Sequence, residues 1–193
     1  MRFLFLIVFL SVGSGVSAEA TTFRVFDQAG KPVANAVITV DADATHIMGA
    51  GQKYSMRQEN TAFDPFVLIV PKGVDVAFPN FDKFRHHVYS FSRGNRFELE
   101  LYGKEQERSV SFNKVGVAAI GCNIHDQMMA FIKIVDKVVA GKTDDQGLVT
   151  LVLPAGASVA KVWHPFIEKR REVPFDIRQS GTDDVVAVGI VLN

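Results

Sequence analysis

A series of short apolar segments, each bounded by turn residues, constrains this chain more than any other feature of its sequence. They run from FRVF at residues 23–26 to VVAVGIVL at 185–192 and are rich in Val, Ile and Phe. Gly, Pro, Asn or Asp separate most of them, and several alternate apolar with polar residues, as Phe97–Leu101 does. Short segments punctuated in this way are typical of a β-sandwich or barrel. We therefore expect an all-β fold.

The first 18 residues form a separate, strongly apolar segment. Met1 and Arg2 precede the run FLFLIVFLSVG, and Val16-Ser17-Ala18 places small residues where signal peptidase reads the chain. This pattern predicts a secretory signal peptide that is cleaved after Ala18. The apolar run is shorter than the ~20 residues of a membrane-spanning helix. We expect a mature chain without a membrane span, in the periplasm or outside the cell.

The charge of the chain is balanced. The full sequence has 21 basic and 21 acidic residues, and removal of Arg2 with the leader leaves 20 basic residues and a formal charge of −1. Nucleic-acid binding needs a basic excess, so we expect no nucleic-acid partner. No motif for a Ser nucleophile, a phosphate loop or paired catalytic carboxylates is present, so we expect that the chain is not an enzyme.

The only cysteine of the chain is Cys122, so no internal disulfide can form and the fold must rest on hydrophobic packing. In an oxidising compartment an unpaired thiol is prone to oxidation unless it is buried or bound to a metal. Its neighbours favour a metal, because Cys122, His125 and Met128 form a Cys-x2-His-x2-Met motif just before the strand-like AFIKIV at 130–135. On a loop between two strands these three side chains can turn to one point, whereas along a strand they would alternate sides.

This set of donor groups favours copper. A plane of two imidazoles and a thiolate with a weak axial thioether describes the blue-copper electron-transfer site, whereas zinc sites favour closed Cys and His sets. The second imidazole must come from a distant strand, and both His86 and His87 stand at the start of such a segment. The residue types alone leave both histidines open, and they also leave Met129 open as a substitute for Met128.

Two motifs together resemble the plastocyanin and amicyanin branch of the cupredoxins over roughly residues 63–135. They are His-x-Val at 86–88, which follows FPN at 78–80, and the Cys-x2-His-x2-Met motif. The resemblance implies a Greek-key β-sandwich with one copper ion held by His86, Cys122, His125 and Met128. Two positions depart from the family pattern: His87 replaces the usual asparagine that braces the Cys loop, and Asp126 replaces a proline. The phrases HHVYSFS, GCNIHD and VWHP also resemble bacterial plastocyanin-like periplasmic proteins labelled methylamine-utilisation proteins.

The resemblance implies a one-electron carrier with a redox partner protein that the sequence does not identify. In this family the second histidine, here His125, projects its ring edge through an apolar docking patch, to which we expect Met128, Met129 and Phe131 to contribute. Two other interpretations stay open. One is a periplasmic copper-binding or delivery protein without redox cycling, and the other is a metal-free β-sandwich binding module.

We predict four segments along the chain. They are the signal peptide at 1–18, a β-hairpin and loop at 19–60, the cupredoxin-like copper domain at 61–136 and a small immunoglobulin-like (carboxypeptidase-regulatory-like) β module at 137–193. The sequence leaves open whether residues 21–60 pack with the copper domain or with the segment after Asp136. We expect His46 to be a solvated loop residue and His164 to be structural.

Overall fold

The computed structural model describes residues 19–49, 53–168, 171–179 and 185–193. Strands dominate these residues, and the all-β prediction is confirmed. These residues also include a short 3-10 helix at Ile177–Gln179. None of the helices in the described ranges is long and apolar enough to cross a membrane. The predicted signal peptide lies outside the described residues.

The strands are short and end at the turn residues that punctuate the sequence. Asp144 shows how such a turn is held, because its carboxylate accepts the backbone N–H groups of Gln146 and Leu148. The strands are β1 Glu19–Phe26, β2 Val37–Asp41, β3 His46–Ile47, β4 Tyr54–Ser55, β5 Arg57–Glu59, β6 Ala62–Asp64, β7 Val67–Pro71, β8 Val74–Ala77, β9 His86–Ser90, β10 Phe97–Tyr102, β11 Ser109–Phe112, β12 Gly116–Gly121, β13 Met129–Val135, β14 Val138–Lys142, β15 Leu148–Leu153, β16 Val159–Trp163, β17 Val173–Asp176 and β18 Val185–Gly189.

Five strands form a central sheet in the order β10-β9-β12-β13-β7. In it β13 pairs antiparallel with β12 and parallel with β7. Successive side chains of a strand point to opposite faces. Ile132 and Ile134 of β13 accordingly belong to one core, while Phe131 and Val135 belong to a second. The central sheet therefore carries a hydrophobic core on each face.

The first core is built from the central sheet together with the small sheets β11-β8-β4 and β5-β6. Cys122 and Met128 are buried members of this core, so the candidate metal loop is packed into it. The largest fully buried side chains of this core are Tyr102, Phe78, Phe112, Met56, Met128, Ile132 and Ile134.

The second core joins the two ends of the described chain. Its sheets have the orders β15-β1-β18 and β17-β16-β2-β14-β3. Residues 19–41 therefore pack with the segment after Asp136, whereas β4 and β5 pair with β8 and β6 beside the first core. The hairpin predicted in this region is not formed by β1 and β2, because these two strands lie in different sheets. The predicted domain boundaries stay predictions.

Lys133 is a charged residue on a strand that is buried on both faces. Its ammonium lies 2.8 Å from the carboxylate of Glu172 and 5.6 Å from the ring centre of Trp163. A buried charge is tolerated when it is paired, and an aromatic face adds to the attraction. The pair ties the central sheet to the second core.

His164 is buried beside the second core, and its contacts are consistent with the structural role expected for it. Its Nδ1 accepts the backbone N–H of Phe166 at 3.2 Å, and its ring packs edge-on against that of Phe166 at 5.6 Å. Burial lowers the pKa of His164 below its ordinary value of 6.5, against a smaller opposing effect of a hydrogen bond with the backbone of Ala34. The folded chain therefore holds this imidazole neutral more strongly than the unfolded chain does.

We predict that His164 makes the free energy of unfolding fall in mild acid. Above pH 6.5 its contribution is fully present, and it is lost as the pH falls toward the lower folded pKa, because the unfolded chain takes up the proton first. Urea unfolding from about pH 8 to about pH 5 checks this for the wild type and for His164→Gln. The variant should lose less stability over this interval than the wild type. Equal losses would contradict the prediction.

Candidate metal centre

The start of β9 places two neighbouring histidines on opposite faces of the central sheet. His86 and Val88, two residues apart on one face of the strand, are both fully buried. The Nδ1 atom of His86 faces Cys122. The ring of His87 points the other way, and its Nε2 lies 2.9 Å from a carboxylate oxygen of Glu98 on the neighbouring strand. Strand alternation separates the two imidazoles. The structure thus brings His86, and not His87, to the thiol.

The Cys122 loop begins where β12 ends. Gly121 pairs with Tyr89 of β9, and a Cβ at Gly121 would lie only 2.8 Å from the phenol end of that side chain, so a larger residue here would displace the tyrosine. Within the loop the N–H of Met128 donates to the carbonyl of His125 at 2.9 Å, and the N–H of Cys122 donates to the carbonyl of Met128 at 3.3 Å. These bonds fold the loop back on itself before β13 starts.

Three donor atoms converge at this loop, two from the loop itself and one from His86 of β9. The sulfur of Cys122 lies 3.8 Å from Nδ1 of His86 and 3.9 Å from Nδ1 of His125. The ligand atoms of the three residues all lie within 4.8 Å of one another. In the part of the chain that the structure describes, this is the one group of three or more His, Cys, Asp and Glu residues with the spacing of a metal site.

These distances fit a bound metal ion. Bonds of about 2.0 Å to nitrogen and about 2.3 Å to sulfur, about 120° apart, separate the two donor atoms by about 3.7 Å. The thiolate, two imidazoles and nearby thioether are also the soft set that suits copper. The distances and the chemistry of the residues present are therefore compatible with a copper site.

The two methionines after His125 differ in their surroundings. Met128 is 1% exposed and packs in the first core with Cys122, whereas Met129 is 45% exposed. Phe131 is also buried, and its ring contacts Phe66 and Trp163 edge-on. The expectation that Met128 and Phe131 help to build a surface patch is therefore wrong, because both side chains turn into cores. Met129 is the exposed member of the three.

The segment just before His86 holds a site residue that no sequence motif indicates. The Oδ2 atom of Asp82 lies 2.7 Å from Nε2 of His86, on the far side of that ring from Cys122. Burial alone raises the pKa of Asp82, but the N–H of Thr61, the imidazole of His86 and the N–H of Asn60 outweigh it, so the pKa lies below its ordinary value. No local spacing indicates this contact, because the segment between β8 and β9 is not helical.

Phe84 covers the two imidazoles from the same segment. Its ring centre lies 5.1 Å from that of His86 and 5.5 Å from that of His125. The side chain is about half exposed, and so is Ile124 on the Cys loop. These two side chains give the neighbourhood of His125 an apolar character. Met129 instead lines a cleft with Phe131 and Trp163. The other two histidines discussed above, His46 and His164, belong to no such cluster.

The chain is similar to solved structures of copper proteins. One is a copper-containing nitrite reductase from Thermus scotoductus SA-01, at 22% identity over 48% of this chain and 28% of that chain, with a TM-score of 0.42. Another is a purple cupredoxin from Nitrosopumilus maritimus, at 16% identity, with 43% of this chain and 100% of that one covered and a TM-score of 0.39. A third is a Cu(I) form of an amicyanin variant, at 16% identity over 51% and 98% of the two chains, with a TM-score of 0.41.

No family model matches the chain, and no curated protein matches it in sequence. The three matches to solved structures are at low identity, and each TM-score lies below 0.5.

We predict that the two neighbouring histidines differ in their effect on copper affinity. Loss of a group that merely supports a metal ligand costs about 10- to 100-fold in affinity, so His86→Ala should weaken copper binding by more than about 100-fold. His87→Ala, the matched control, should stay within about 10-fold of the wild type. Competition with a chromophoric copper chelator measures both. A larger loss in the His87 variant would overturn the assignment.

Proposed function

We propose that this chain is a copper-binding one-electron carrier with a cupredoxin-like site, and that it is not an enzyme. The convergence of donor atoms from His86, Cys122 and His125 in the core that also contains Met128 carries the proposal. Bound copper supplies a one-electron couple between its Cu(I) and Cu(II) states. The residues of the chain hold the donors in place for both states.

The donors are held by packing and by hydrogen bonds. His86 and Met128 are buried, the His86 ring is fixed at Nε2 by Asp82, and the Cys122 loop is closed by its own backbone bonds. Side chains in a close-packed core have few alternative positions. Such a site changes its geometry little when its charge changes, which favours fast electron transfer.

The burial of the thiol supports a carrier over a delivery protein. Delivery needs an incoming ligand to reach the metal, and here Cys122 and His86 are both buried. Only His125 among the three donors is partly exposed. The more accessible edge of this imidazole is suited to electron exchange with a docked partner, whereas replacement of the thiolate by a partner's ligand would require the first core to open.

We propose that the redox partner docks around His125. The half-exposed ring of Phe84 packs against that of His125, and the exposed side chain of Ile124 directly precedes His125 in the loop. The balanced charge of the chain favours a contact whose strength depends little on salt.

We predict that Cys122→Ser abolishes the visible thiolate-to-copper absorption band and the reversible one-electron couple. The substitution removes the sulfur that gives the site both properties, while the buried side chain keeps nearly the same shape. Absorption spectroscopy and voltammetry of the copper-loaded mature protein measure the two. Met129→Leu, next to the loop but exposed, serves as the control and should keep both. A colourless, copper-loaded wild type would contradict the proposal.

We also propose that the protein is exported and that residues 1–18 are removed as a signal peptide. The apolar run after Arg2 and the small residues before Glu19 support this. Expression of the full chain in a bacterial host, followed by intact-mass measurement of the periplasmic fraction, should give a chain that starts at Glu19. A chain retained in the cytoplasm with Met1 in place would refute it.

A further inference from the structure

We propose that Asp82 is a positioning residue that orients His86 toward the metal and lowers the reduction potential of the site. This inference rests on the proposed electron-carrier function. Asp82 contacts the ring nitrogen of His86 opposite to the one that faces Cys122. It therefore acts through the ligand, and not as a ligand itself.

The hydrogen bond fixes which nitrogen of His86 is free to bind. A neutral imidazole carries one N–H and one lone pair. With Asp82 as acceptor at 2.7 Å, the proton sits on Nε2, and the lone pair of Nδ1 faces the sulfur of Cys122 at 3.8 Å. Carboxylates that accept the outer N–H of a metal-binding histidine fix its tautomer and raise its basicity.

Asp82 itself is held rigidly as an anion. Its Oδ1 accepts the backbone N–H of Asn60 at 2.8 Å, and its Oδ2 accepts that of Thr61 at 3.0 Å. These two residues form the turn between β5 and β6, and both have positive φ, 54° and 57°. A β-branched residue rarely adopts this conformation. The turn nevertheless keeps the β-branched Thr61 in this conformation, in which the N–H groups of Asn60 and Thr61 both point at the carboxylate of Asp82.

A second anchor holds the segment that carries Asp82. The buried side-chain amide of Asn80 donates to the carbonyls of Phe84 and Tyr102, and its oxygen accepts the backbone N–H of Asp82. The chain therefore fixes Asp82 from both sides, through the Asn60–Thr61 turn and through Asn80. These hydrogen bonds fix both the carboxylate of Asp82 and the backbone that carries it, so Asp82 is more restrained than a carboxylate in a solvated loop.

The charge of Asp82 acts on the metal because it is shielded from water. Its side chain is 9% exposed, so its negative charge is weakly screened and favours the more positive, oxidised state of the site. Glu98 makes a similar contact, with a carboxylate oxygen 2.9 Å from Nε2 of His87. The side chain of Glu98 is 63% exposed, however, and the His87 imidazole does not face the thiol. The chain thus offers a matched carboxylate–histidine pair as a control.

The test compares Asp82→Asn with Glu98→Gln in the copper-loaded mature protein by voltammetry. Asp82→Asn should raise the ratio of reduced to oxidised protein at a fixed applied potential by about tenfold or more, which corresponds to about 59 mV for a one-electron couple. Glu98→Gln should change this ratio by less than about twofold. An Asp82→Asn protein with a ratio within twofold of the wild type overturns the inference, while the proposed function stands.

A measurement on the wild type decides the case if Asp82→Asn fails to fold or to bind copper. In the Cu(I) protein, nitrogen-edited NMR should show the His86 imidazole protonated at Nε2, with a slowly exchanging proton. A His86 ring protonated at Nδ1, or an Nε2 proton in rapid exchange with water, overturns the inference. A wild-type protein without any reversible couple refutes the proposed function, and the inference falls with it.

Discussion

The site depends on the pairing of β12 with β9. These neighbouring strands of the central sheet meet at Gly121 and Tyr89, just before the cysteine and three residues after the first histidine. This one contact brings together two stretches that are far apart in sequence and sets the thiol beside the buried imidazole. The remaining donor groups follow from the local loop, whose own hydrogen bonds turn His125 and Met128 back toward the start of β13.

The two cores give this arrangement its rigidity. Ile132 and Ile134 hold β13 in the first core, beside Cys122, while Phe131 holds the same strand against Trp163 in the second. A strand packed on both faces cannot shift by one residue without exchanging its two sets of side chains. The register of β13, and with it the end of the Cys loop, is therefore strongly specified. The second core thus contributes to the site without touching it.

The sequence predicted what short-range patterns control. Alternating apolar segments indicated the all-β fold, and the spacing of Cys122, His125 and Met128 indicated a loop that converges on one point. By residue type alone it could not separate His86 from His87, because the face that each presents depends on the register of β9 with its neighbours, and only the position in the family motif favoured His86. It missed Asp82 for a similar reason, since the Asn60–Thr61 turn that holds this carboxylate is brought to it by the fold. The packing of residues 19–41 with the end of the chain depends on long-range pairing as well.

The central claim is that two imidazoles and one thiolate, from strand β9 and from the loop between β12 and β13, bind the same ion. Copper K-edge X-ray absorption of the copper-loaded mature protein measures the atoms around the metal directly. The account predicts one short copper–sulfur bond of about 2.3 Å or less and two imidazole nitrogens at about 2.0 Å. A spectrum with nitrogen and oxygen neighbours alone, without the short sulfur bond, would contradict it.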